Sequence, residues 1–412
     1  MPASKITELN GEVEAIATRQ GERRLIVVLT DEDARVLVSD GDEAFAEDTG
    51  ASAFLRSLLS GLSEDTPALR AEFVGDILCL SVNSSQLTSG GTSVVLAVDL
   101  ATQEVRELVR VDSLFTIPAI VGVDDRFLLV GVYEDASQSD GRVARVMAFD
   151  LANRTEYEIL RLDYEKDGVA VPDAGDATGE DDGEWEGVRP LITHLTYASA
   201  ARRLYLVTLD PDQGEGNRIC AVTLDENCRL IGDPELLLHE ICEPYSPIVG
   251  GACASPYRDE VVAVMYASEW EKFVPISSMP GESDFLSAAD LHVVRSGEPP
   301  RRLAVLGQLG INIAFYDREA EAPNLPNRFR IRFDFDGAGN EVTPVIPLDQ
   351  NRYLIALFGG TLTEINADTG AQSVVHRFGK PITALQSGFD SRSVFVGLAT
   401  GEFFTITVPQ GV

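Results

Sequence analysis

An all-β fold built from repeated four-stranded units is predicted by three features of the sequence. A short pattern returns along the chain, its second half is a near-continuous apolar run of strand length, and polar turn formers separate the halves. The pattern is plainest in "ITALQSGFDSRSVFVGL" (382–398), which aligns without a gap with "ITHLTYASAARRLYLVTL" from Ile192 and "VEAIATRQGERRLIVVL" from Val13. Seven copies begin at Val13, Thr66, Ile117, Ile192, Val249, Val342 and Ile382. Twelve positions further on, Leu25, Leu78, Leu129, Leu204, Val261, Leu354 and Val394 open the second run.

Each element of the unit has a local reason. Second runs such as "LIVVL", "LYLVTL" and "VFVGL" have the pattern of a strand buried on both faces. "GERR", "DDR", "SAARR" and "FDSRS" turn the chain between the first and second strands. A second motif adds two more strands around a tight polar turn, in "LAVDLATQEVREL" (96–108), "MAFDLANRTEYEIL" (147–160), "CAVTLDENCRLIG" (220–232) and "TEINADTGAQSVV" (363–375). Asp99, Asp150 and Asn366 can close that turn through their side-chain oxygens, and Gly370 can take positive φ. Units this small cannot bury their own faces, so their recurrence predicts a seven-bladed β-propeller spanning 1–412 as one domain.

The expected blades cover 11–47, 66–110, 113–162, 189–238, 246–307, 340–378 and 380–408, with insertions at 48–65, 163–188, 267–289 and 308–339. Strand-like runs "INIAFY" and "RFRIRFDFD" within 308–341 leave eight blades as the alternative. "KITELN" (5–10) has no partner of its own and is expected to pair with the last blade, which removes the open edge. "NADTGAQSV" (366–374) is similar to the quinoprotein-type repeat segment, with Asn366 where that family usually has Asp and Val374 near its usual Trp. Over nearly its whole length the chain resembles the WD40, YVTN and quinoprotein-like propeller repeats. The resemblance is one of architecture: the WD dipeptide is absent, since Trp185 and Trp270 are both followed by Glu.

In a four-stranded antiparallel unit the first and third turns share one rim, and the remaining connections share the other. Every long insertion falls in the second class, so one rim is expected to be plain and one decorated. Loops held by a rigid scaffold are where binding concentrates. Segment 51–62 puts Phe54, Leu58 and their apolar neighbours on one helical stripe, either as a docking helix or as a cap on the propeller's own core. Trp270, Phe273 and Phe285 in 268–286, and Phe315 and Tyr316 in 311–330, are further candidate partner contacts, because aromatics are enriched at interfaces. Trp185 stands in the acidic segment 163–187 as a candidate anchor. There Asp173, Asp176, Glu180, Asp181 and Asp182 are candidate calcium ligands, although their spacing is not that of an EF-hand and a solvated acidic loop explains them as well.

The charge balance is strongly acidic, with 66 Asp and Glu against 33 Lys and Arg and only four lysines. Such a surface repels polyanions, so nucleic acid is not an expected partner, and no apolar run reaches the length of a bilayer span. An acidic, lysine-poor surface also keeps a protein soluble in a salty cytoplasm, the expected location; a virion or extracellular appendage is the alternative. Cys79, Cys220 and Cys253 lie in apolar runs and read as small hydrophobes. His194, in the first strand of its copy, is the one catalytic candidate, since it could face the central channel. A gap-free alignment puts Ala15, Ala68, Ala119, Gly251, Pro344 and Ala384 in the matching places, as for a narrow packed channel. No GxSxG elbow, phosphate-binding glycine loop or HExxH is present. The expectation is therefore a non-enzymatic scaffold or structural subunit that binds protein through its loop-rich face and needs no cofactor. A channel hydrolase or lyase, with a divalent cation such as Ca2+, is the alternative.

Overall fold

The structure is a computed structural model that describes residues 3–19, 24–30, 34–40, 45–59, 68–83, 91–114, 119–134, 143–162, 191–209, 217–239, 248–267, 287–295, 301–307, 313–314, 330–331, 344–357, 360–368, 371–390 and 392–408. It is an all-β propeller fold, a ring of small antiparallel sheets. Among the described residues there are seven four-stranded sheets and one two-stranded pair. In chain order the first strands of the seven sheets are Glu12–Arg19, Ala68–Val74, Ile120–Val123, Leu191–Ala198, Ile248–Ala254, Val345–Pro347 and Ile382–Ser387. Each packs beside the first strand of the next sheet, and Ile382–Ser387 packs beside Glu12–Arg19.

The uninterrupted apolar second strands follow from this face-to-face arrangement. In Arg24–Thr30, Leu25 and Val27 join a core with Phe395 and Phe403 of the last sheet, whereas Ile26 and Val28 join one with Leu78 and Leu80 of the second. The rule carries along the ring. Leu128 and Val130 pack with Cys79 and Val95 of the second sheet, and Leu129 packs with Leu204 and Leu206 of the fourth. Tyr205 and Val207 then share a core with Val261 and Ala263 of the fifth. A strand with neighbours on both sides has no solvent face, so the usual polar alternation disappears.

The opening residue of a repeat also has a defined seat. Val13 lies over Gly397, where an added Cβ would come within 2.3 Å of the valine Cγ1. Ile192 lies over Gly131 in the same way, at 2.8 Å. Glycine is needed at both places to admit a β-branched side chain from the neighbouring sheet. The seventh sheet is completed from the other end of the chain: Ala3–Glu8 pairs antiparallel with Glu402–Thr407. Glu402 there receives Lys5 at 3.1 Å and Lys380 at 2.8 Å, two of the chain's four lysines, which hold its carboxyl down at about 2.

The expected turn chemistry is present. Asp99 Oδ1 accepts from the Ala101 and Thr102 amides, Asp150 Oδ1 from Asn153, and Asn366 Oδ1 from Asp368. Gln103, Arg154 and Cys228 take positive φ in three of these third-to-fourth-strand turns; Gly370 lies outside the described residues. The candidate eighth unit falls largely outside them too. Its described residues form only the pair Ile313–Ala314 with Arg330–Ile331.

Two outcomes are expected. Gly397→Ala, which forces Val13 out of its seat, lowers unfolding free energy by about 1–3 kcal/mol in a denaturant titration. Deleting residues 1–10 leaves Glu402–Thr407 as an open edge, which lowers the melting temperature and produces aggregates on size-exclusion chromatography.

Candidate interaction surface and central channel

The amphipathic segment forms helix α1 (Thr49–Leu59). Asp48 caps it, its Oδ1 accepting the Ala51 amide at 2.9 Å. The outer strand of the first sheet is only Ala46–Glu47, and α1 closes the edge this leaves. The Val36 amide donates to Ser52 Oγ at 3.0 Å, and the Asp48 amide donates to the Val36 carbonyl at 2.9 Å. Ala51 and Leu55 are fully buried in the core between the first and second sheets. The helix thus caps the propeller's own core with one face.

Its flank is less enclosed. Phe54 and Leu58 are half-buried, and with Ser57 they face Thr92, Glu107 and Arg110 of the second sheet across a groove of about 410 Å³. Arg110 grips Glu107 through two contacts of 3.0 and 2.7 Å, so the far wall carries a neutralised ion pair. The structure therefore brings Phe54 and Leu58 together. Trp185, Trp270, Phe273, Phe285, Phe315 and Tyr316 lie outside the described residues, as do Asp173, Asp176, Glu180, Asp181 and Asp182. Among the described residues no group of three or more His, Cys, Asp or Glu is placed to hold a metal, and no helix is long and apolar enough to cross a membrane.

The first strands line the channel, and four of them carry the same irregularity. Register slips by one residue between Val13 and Ala15, Ile192 and His194, Val249 and Gly251, and Ile382 and Ala384. Each bulge disrupts the local ladder, and side chains from neighbouring first strands add hydrogen bonds between the sheets. Thr383 Oγ1 donates to the Val13 carbonyl at 2.5 Å, Thr18 Oγ1 donates to the Ser387 carbonyl at 3.0 Å, and the Ala254 amide donates to Thr196 Oγ1 at 2.8 Å. His194 is buried, with Nδ1 3.1 Å from Thr193 Oγ1.

The register corrects the gap-free alignment in the second copy. His194 pairs with Val207, three residues after Leu204. The residue three after Leu78 is Ser81, which pairs with Arg70 and not with Ala68, its own partner being Asn83. The cause is the turn: Val74 and Ile77 are joined by Gly75 and Asp76 alone, with Gly75 at φ +57°, so the first strand slides by two. The place expected to hold a small residue therefore holds an arginine. Arg70 Nη2 donates to the Thr193 carbonyl, two sheets away, at 3.0 Å. Two residues on, Glu72 Oε1 accepts the Gly122 amide of the third sheet at 2.8 Å, and desolvation pushes its pKa up to about 7. Sequence reasoning missed both. The available signal was "LRAEF", an Arg and a Glu two apart, a guanidinium–carboxylate pair that the matching strands lack.

The cysteines among the described residues are structural. Cys79, Cys220 and Cys228 are buried and Cys253 half-buried, all unbridged; burial pushes the Cys228 and Cys253 thiols up to about 12. So high a pKa leaves almost no thiolate for nucleophilic work.

No protein-family profile matches the chain, and no curated protein matches it. Among solved structures, the crystal structure of Saccharomyces cerevisiae Sqt1 aligns with 99% of this chain and 98% of its own, at 11% identity and a TM-score of 0.48.

The Glu72 carboxyl makes stability pH-dependent. The folded chain retains a proton that the unfolded chain releases near the usual carboxyl pKa. The stabilisation is therefore full at about pH 4 and is lost as pH rises towards about 7. Glu72→Gln keeps the acceptor for Gly122. It should match the parent at about pH 4 and exceed it by up to about 3 kcal/mol at about pH 8, read from denaturant melts at both values.

Proposed function

We propose that the chain is a non-enzymatic scaffold or structural subunit, a closed seven-bladed propeller that binds a protein partner through its loop-rich rim. What carries this reading is the uneven distribution of connections. First-to-second and third-to-fourth strand turns are short throughout, as at 75–76, 124–126, 151–154 and 348–351. The long connections, at 48–67, 163–190, 268–286 and 308–344, all belong to the opposite rim. The plain rim is further tied by ion pairs between sheets, among them Arg154–Glu104, Arg202–Asp124 and Arg258–Asp368. A rim stitched in this way presents little that can rearrange around a partner, whereas the other carries the long connections and the Phe54–Leu58 flank.

Closure is supported by the pairing of Ala3–Glu8 with the last sheet and by the seating of Val13 on Gly397. A seven-blade count is supported by the seven four-stranded sheets. The partner surface includes the half-buried apolar flank of α1, and the aromatic segment 268–286, which the sequence marks as a candidate contact, belongs to the same class of long connections. A partner with an apolar segment flanked by basic residues suits both that flank and the chain's net negative charge.

The double variant Phe54→Ser with Leu58→Asp leaves Ala51 and Leu55 untouched, so its melting temperature should stay within a few degrees of the parent. In affinity purification from the native source, the parent should capture a stoichiometric partner that the double variant and a deletion of 268–286 both lose. Equal capture by all three would exclude this surface.

A further inference from the structure

In a chain with twice as many acidic as basic side chains, arginines find carboxylates easily. Arg126 holds Asp150, Arg203 holds Glu235, Arg258 holds Glu260 and Asp368, and Arg352 holds Asp349 and Glu364. Arg70 breaks the pattern. Among the described residues it forms no ion pair, and one hydrogen bond, to the Thr193 carbonyl, engages one of its five N–H groups. Its nearest acid along the strand, Glu72, is turned to the Gly122 amide instead. The guanidinium is desolvated enough to bring its pKa down to about 10, with no anion offsetting the cost.

We propose that Arg70 anchors a binding site for a small oxyanion, a carboxylate or a phosphate, on the wall of the central channel between the first strands of the second and fourth sheets. Three features of the geometry suit this role. The bulge at Thr193 interrupts the ladder to the second strand, and the Thr193 carbonyl fixes one edge of the guanidinium and leaves the remaining N–H fork for a ligand. Two parallel N–H donors match the two oxygens of a carboxylate or a phosphate. Thr193 is itself held in place, its hydroxyl donating to the Val207 carbonyl at 3.3 Å and lying 3.1 Å from His194 Nδ1. The channel wall supplies the desolvation that strengthens such a contact, while the acidic exterior disfavours adventitious anions elsewhere.

A purely structural strut would need only the Thr193 contact, and a lysine would serve it. That difference gives the test. Isothermal titration calorimetry of the full chain at low ionic strength, with succinate and with inorganic phosphate in separate runs, should show about one site per chain for at least one of them. The stronger binder tells which oxyanion the site takes. Arg70→Lys keeps the charge and a donor for Thr193 but lacks the fork, and should weaken binding about tenfold or more. In the parent chain, the bound anion should also slow modification of Arg70 by phenylglyoxal several-fold, read by peptide mass spectrometry, while exposed Arg154 reacts unchanged. Absence of binding by the parent, equal binding by Arg70→Lys, or undiminished modification of Arg70 would each overturn the proposal.

Discussion

The constraint on which the rest of the structure depends is that the second strand of each sheet buries both of its faces. Leu25 and Val27 point one way and Ile26 and Val28 the other, and all four are almost completely removed from water. At roughly 25 cal/mol per Å² of apolar surface, such a strand is strongly favourable between two neighbours and unfavourable with only one. No single four-stranded sheet can satisfy it. The face-to-face arrangement and the glycines at 131 and 397 follow from seating each sheet against its neighbours.

Close seating has a cost at the centre, where the first strands converge and their inner edges have no strand to pair with. The bulges at Glu14, Thr193, Gly250 and Thr383 are where that cost is handled. At the first of these the Thr383 hydroxyl serves the Val13 carbonyl, a short neutral group that adds no charge to a narrow space. Arg70 and Glu72 are the departures. Each spends part of its capacity on a backbone group of another sheet and is left ionisable in a desolvated channel.

Much of this was legible in the residues. The second strands announced themselves by unbroken apolar character, and the turns at Asp99, Asp150 and Asn366 by side chains that hydrogen-bond their own backbone. "KITELN" stood out as a strand-like segment with nothing beside it, and the pairing runs from Ala3 to Glu8. The channel was not legible, for a specific reason. A gap-free alignment assumes equal turns, and the two-residue turn at Gly75–Asp76 moves the first strand of the second sheet by two places. Side-chain direction in a strand survives a shift of two, so the apolar pattern gave no warning while Arg70 took the position assigned to Ala68. The amphipathic stripe of the helix is legible in its sequence, but only the structure shows that Ser52 and Asp48 occupy the edge of a strand the outer pair leaves uncovered.

A closed ring would depend on the join between the ends of the chain, where Ala3–Glu8 pairs with Glu402–Thr407. Hydrogen exchange of the intact protein reads this join directly, through the amides of Glu402–Thr407. If Ala3–Glu8 completes the last sheet, the peptide covering 402–407 exchanges as slowly as the one covering 78–82 in the second sheet. Exchange of 402–407 at the rate of an unpaired edge, with 78–82 still protected, would contradict the account.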